Sequence, residues 1–186
     1  MRNREKRVLT PVGAIARGVA AAAAGTTAMD VAQYLEYRRG EGKTDFFDWE
    51  TSAGLSDWES APAPAQLAKR LYEALTGREL KPEMARLANN AVHWATGLGW
   101  GGLYGVVAGS RPSPKVRYGL LWGTLVWASG YVVLPLAGLY KPIWEYDAKT
   151  LAKDLGAHLV YGLTTAATFR AARSMALTVP TWTLDV

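Results

Sequence analysis

Two stretches of this chain, residues 87–110 and 118–140, carry no Asp, Glu, Lys or Arg. A helix rises 1.5 Å per residue and the hydrocarbon core of a bilayer is about 30 Å thick, so about twenty apolar residues suffice to cross it. Each stretch meets that length. A chain with two such runs separated by a short basic loop is constrained to an all-α membrane architecture.

Composition narrows the chemistry. The chain has 186 residues, enough for one compact unit. It has no cysteine, which removes disulfides, thiolate metal sites and cysteine nucleophiles. Imidazole chemistry has only His93 and His158 to draw on. The formal net charge of +5 is not gathered on one face, as nucleic-acid binding requires. It sits in short blocks between uncharged runs, so the lipid bilayer is the expected partner and nucleic acid is not. The mean hydropathy of -0.03 is low for a membrane protein. The polar segment 30–87 dilutes the apolar runs, which are themselves rich in Ala, Gly, Trp and Tyr.

The pattern predicts four spans, near residues 10–29, 88–109, 118–139 and 151–173, with a long outer loop over 30–87, all within a single membrane domain 1–186. Thr10 suits the N-cap of the first span and Pro11 its first turn. The basic start and alanine-rich run resemble a signal peptide, but Arg17 within the apolar region argues for a retained anchor. Arg17 is the intramembrane charge, expected to snorkel to the headgroups or to pair inside the bundle. Asp30 is placed at the outer end of the first span, within reach of water. The basic residues of 1–9, of 110–117 and of the C-terminal tail put both termini in the cytoplasm by the positive-inside rule.

The outer loop has its own pattern. Asp48-Trp49-Glu50-Thr51 recurs nine residues on as Asp57-Trp58-Glu59-Ser60. These segments could bind a cation or a partner, with Trp49 and Trp58 as candidate partner contacts, although a loop laying its tryptophans on the interface while its acids face water explains them as well. Leu67, Leu71 and Leu75 repeat at four-residue spacing after Pro62, which predicts a short amphipathic helix ended by Gly77.

The second span has the strongest motif. Asn89, His93, Gly97, Gly101, Gly105 and Gly109 follow at intervals of four. Each glycine costs about 1 kcal/mol in a helix relative to Ala, so an aligned row needs a reason. Close approach of another helix supplies one, either within the bundle or against another membrane protein or a second copy. The fourth span echoes it with His158, Gly162 and Ala166, which suggests that spans one and two are repeated as three and four. The two histidines are either interhelical hydrogen-bonding groups or a shared site. Such a site would hold haem b or a divalent metal, for which Asp154 and Glu145 are the nearby carboxylates.

There is no Walker loop, dinucleotide fingerprint, Gly-x-Ser-x-Gly or His-Glu-x-x-His sequence. No catalytic residue is therefore assigned.

Pro62-Ala63-Pro64-Ala65, Leu87-Ala88-Asn89-Asn90-x-x-His93, Gly97-x-Gly99-Trp100-Gly101-x-x-Tyr104-Gly105 and His158-x-x-Tyr161-Gly162 together resemble the YagU-like bacterial inner-membrane proteins. The resemblance runs from Gly13 to about Phe169. It implies a multi-span protein of the bacterial cytoplasmic membrane and implies no activity. The expectation is an integral membrane four-helix bundle with one short amphipathic helix in its outer loop. Its first functional class is a non-catalytic accessory, scaffold or partner-binding subunit. A small transporter or channel comes second, and a haem- or metal-binding redox protein using His93 and His158 third.

Overall fold

A computed structural model describes residues 9–176. Those residues form six α-helices, with 3-10 turns at Pro82–Met84 and Ile143–Glu145 and no strand among them. The all-α expectation is met.

The first helix, α1, spans Pro11–Arg39. Thr10 caps it by accepting a 3.2 Å hydrogen bond from the Gly13 N–H, and Pro11 occupies the first turn. Arg38 and Arg39 in the last turn suit the negative end of the helix dipole. At 1.5 Å per residue this helix is about 44 Å long, well over a bilayer core. It continues ten residues past the predicted end of the span. Asp30 is therefore not at a wet terminus: it is 2% exposed, in the middle of a packed helix. The sequence beyond it (Ala, Gln, Leu, Glu, Arg) consists largely of good helix formers, and the charges that seemed to end the span do not end the helix.

Two short helices follow in the segment between the first helix and the next long one. The first, α2 (Phe46–Glu50), is capped by the Asp45 carboxylate. The second, α3 (Ala63–Thr76), stops where Gly77 takes a left-handed conformation at φ 66°, as its sequence predicts. Leu71 and Leu75 stay exposed on it.

Three long helices complete the fold: α4 (Ala85–Gly109), α5 (Tyr118–Leu136) and α6 (Ala148–Ala176). By length and apolar composition, α1 and α5 are each able to cross a bilayer. The other two are diluted by glycine and polar residues, or by charged ones.

The long helices pack in the order α4–α1–α6–α5. Small residues set the spacing. Along α1, Ala14, Gly18, Ala22 and Thr26 recur every four residues and meet the Gly97, Gly101, Gly105 and Gly109 row of α4 in antiparallel register. A Cβ at Gly105 would run into the Ala14 carbonyl, and one at Gly101 into the Ala22 side chain. A second seam joins α5 to α6. There Gly119 faces Gly162, and Gly123 faces the backbone of His158. Each helix pair is thus closed by backbone-to-backbone approach, the arrangement that small residues permit. Aromatics fill what remains: Tyr104 packs edge-on against Phe169 and Trp122.

Candidate functional site

Neighbouring helices α4 and α5 make little backbone contact. They meet through the Trp122 ring, which packs edge-on against Trp100 and Tyr104. Toward the histidine ends of α4 and α6, beside that aromatic contact, lies a chamber of about 400 Å³. Its walls include Thr26 and Met29 of α1, Trp100 of α4, Trp127 and Tyr131 of α5, and Tyr161 of α6. Residues Pro64 and Leu67 of α3 border it as well. Both histidines line it, together with Asp154.

The two imidazoles have different carboxylate partners. His93 Nε2 is 2.9 Å from Asp30 Oδ1. His158 Nδ1 is 2.8 Å from the Asp154 carbonyl oxygen and 3.3 Å from its Oδ1. A carbonyl oxygen can only accept, so Nδ1 of His158 carries the proton and Nε2 is its free nitrogen when the ring is neutral. The structure thus brings the histidines to one chamber, each held by its own aspartate. Glu145 lies in the 3-10 turn before α6 and is exposed.

A third acid joins His93. One oxygen of Asp30, one of Glu50 and a ring nitrogen of His93 all lie within 4.8 Å of one another. Glu50 ends the short helix α2, and the residues after it are tied down. Arg86 donates to the Thr51 carbonyl at 2.9 Å and to its hydroxyl at 2.7 Å, Asn90 donates to the same carbonyl at 3.0 Å, and Asn89 donates to Ser52 at 3.0 Å. The Trp94 indole donates to Glu50 at 3.3 Å. Burial pushes the Glu50 carboxyl above its ordinary range, and the neighbouring Asp30 charge pushes the same way.

Several polar atoms are sealed from solvent without a hydrogen-bond partner. Among the described residues they include Thr26 Oγ1, Asp30 Oδ2 and Trp127 Nε1. Thr26 and Trp127 belong to the chamber wall. Unpaired buried polar atoms cost about 1–3 kcal/mol each.

The remaining predicted residues are placed as follows. The glycine row lies between α4 and α1, and Gly162 lies between α6 and α5. Arg17 donates to the Gly13 carbonyl at 3.0 Å, one turn back toward the start of α1. Trp49 packs among Tyr34, Tyr37 and Phe46. The Trp58 indole donates to the Leu80 carbonyl at 2.9 Å, with Lys69 over its ring. Both tryptophans are half-buried in contacts within the chain.

Sequence reasoning did not find the Asp30–Glu50–His93 cluster. A signal was present for Asp30, which continues the four-residue row of α1 and so falls opposite His93, the continuation of the row on α4. For Glu50 the signal was the Asp48-Trp49-Glu50 segment, which by sequence could bind a cation or a partner, but its place beside Asp30 and His93 depends on how the segment between α1 and α4 folds back.

No family model, curated protein or solved structure matches the chain.

Proposed function

We propose that the chain is a four-span protein of a bacterial cytoplasmic membrane and that its work is binding: it holds a small polar ligand in the outer-half chamber as an accessory or partner-binding subunit. The chamber carries this reading. It combines aromatic walls and two histidines paired to aspartates in one space. That is the composition of a small-molecule site, mostly apolar with a few placed polar groups.

Support for four spans comes from the surface. Leu103, Val106 and Val107 of α4 are exposed, as are Leu120, Leu121, Leu125, Val132 and Val133 of α5. In water a contiguous belt of this kind is an aggregation surface, whereas in lipid it costs nothing. The paired glycine seams tie α4 and α6 to helices that are apolar enough to cross, so all four long helices lie at one depth. The resemblance to YagU-like proteins points to the same membrane. A carrier reading has one favouring observation: the seams repeat, α1 with α4 and α5 with α6, around the chamber.

The chain has no cysteine, so single cysteines report topology cleanly. Cysteine at Ser113 should be labelled only after the cells are permeabilised, and cysteine at Ser56 in intact cells. The chamber is tested by Gly130→Leu. Gly130 lines it, and a Cβ there meets nothing within 4 Å, so a side chain can start from it without a clash at its first carbon and reduce the space. Native mass spectrometry from mild detergent should show a small molecule on the wild type and none on the folded variant. Bare wild-type protein, or equal loading of both, would sink the binding reading.

A further inference from the structure

We infer that Asp30, Glu50 and His93 form a binding site for one first-row divalent metal ion. Three elements distant in sequence converge on it: the middle of α1, the end of α2 and the outer part of α4. Their donor atoms already lie within 4.8 Å of one another. The 2.9 Å between His93 Nε2 and Asp30 Oδ1 suits two donors about 2.1 Å from one ion at roughly a right angle.

A second observation is independent of the clustering. Asp30 is 2% exposed, yet Oδ2 of its carboxylate has no hydrogen-bond partner. A packed helix interior does not leave an anionic oxygen bare without cause. The Asp30 and Glu50 carboxyls face each other, and among the described residues no Lys or Arg forms an ion pair with either. Two carboxylates share one imidazole there, and one of the two, Asp30, is buried. With both carboxyls ionised the cluster carries net negative charge. A dication cancels it, and bidentate binding by Asp30, through Oδ1 and Oδ2 together, takes up the bare oxygen as well.

The donor set selects the ion class. Calcium and magnesium favour all-oxygen sites, while an imidazole beside two carboxylates suits zinc, iron or manganese. The Trp94 indole holds Glu50 from behind, as a group supporting a metal ligand does. Three protein donors leave coordination positions over, and His93 also belongs to the chamber wall, so the ion would border the chamber. The site needs only the fold, and not the chamber ligand, to form.

The test uses full-length protein in mild detergent, stripped with a chelator and reloaded with Zn²⁺ or Co²⁺. Elemental analysis should give one ion per chain, and Co²⁺ should show ligand-field absorption. Asp30→Asn and Glu50→Gln should each lower metal affinity at least tenfold, while His158→Gln should leave it unchanged. Should Asp30→Asn fail to fold, Glu50→Gln decides, since Glu50 lies outside the packed helices. Gly130→Leu should keep the metal while losing the chamber ligand, which separates the two readings. Sub-stoichiometric metal on the wild type, or wild-type affinity in both carboxamide variants, would overturn the site.

Discussion

The Tyr161 hydroxyl donates a 2.7 Å hydrogen bond to the Gly97 carbonyl oxygen, joining α6 to α4 across 64 residues of sequence. Both residues sit one turn inward of a histidine, or nearly so, and Tyr161 is 1% exposed. Since α4 and α6 are separated by α1 and the chamber, this bond is a strut across the chamber floor. Tyr161→Phe keeps the ring and removes the strut. It should lower stability by about 1 kcal/mol, the usual size of one interhelical hydrogen bond. Thermal unfolding in detergent measures it. An unchanged melting temperature would mean that the hydroxyl is satisfied elsewhere.

The glycine row makes a sharper prediction, because the seam leaves no room for a side chain. Gly101 meets Ala22 and the Gly18 carbonyl, and Gly105 meets the Ala14 carbonyl. Leucine at either position should separate α4 from α1 and abolish folded protein on gel filtration, since overpacking costs more than about 1–3 kcal/mol when backbone must move. Leu103→Ile lies on the exposed face and should be mild. Gly99 and Gly156 meet nothing within 4 Å, so alanine there should stabilise by up to about 1 kcal/mol through helix propensity.

What was legible in the sequence follows the range of each interaction. The four-residue rows of α4 and α6 and the Asp154–His158 pair one turn apart are local, and spacing alone exposes them. Helix termini were legible where a residue acts on its own backbone, as Thr10 and Gly77 do. Pairings across the bundle were not. Asp30 reads as a terminal charge until α1 is known to continue, and Glu50 reads as part of a polar loop until Arg86 and Asn90 are seen anchoring Thr51. The chamber was not legible either, because it arises from two helices failing to meet, and a sequence records contacts better than gaps.

A pH prediction falls on the start of α6. Asp147 accepts from the Thr150 hydroxyl at 2.7 Å and from the Thr150 N–H at 2.9 Å, and these bonds hold its carboxyl below its ordinary value of 3.8. An acid whose pKa is depressed by folding adds stability above its unfolded pKa. That stability is lost as pH falls through the lower folded value. Melting temperature measured from about pH 6 to about pH 2 should therefore fall at the acid end partly through this residue. Asp147→Asn keeps the capping oxygen and removes the titration, so its profile should be flatter below about pH 4. Parallel profiles for both proteins would show that the cap contributes no acid sensitivity.

Arg173 supplies the last prediction, at the opposite end of the bundle. It is 7% exposed and donates to the Arg111 carbonyl at 2.8 Å, with the Gly109 and Ala108 carbonyls at 3.4 and 3.5 Å. These are the end carbonyls of α4 and the start of its loop, the groups that a helix leaves without internal partners. A guanidinium there satisfies several at once and complements the negative end of the helix dipole. By sequence Arg173 is one of the tail cations that set orientation; in the fold it also closes the inner end of the chain onto α4. Arg173→Met keeps much of the packing and leaves those carbonyls bare, and should cost about 2 kcal/mol, the size of a charged hydrogen bond. Arg173→Lys keeps the charge but carries it on a compact ammonium in place of the planar guanidinium, and should recover only part of it. Protease sensitivity of the 110–117 loop separates this role from general destabilisation. It should rise in Arg173→Met more than in Tyr161→Phe at matched distance below each melting temperature. Equal sensitivity would show that Arg173 has no specific part in holding the loop.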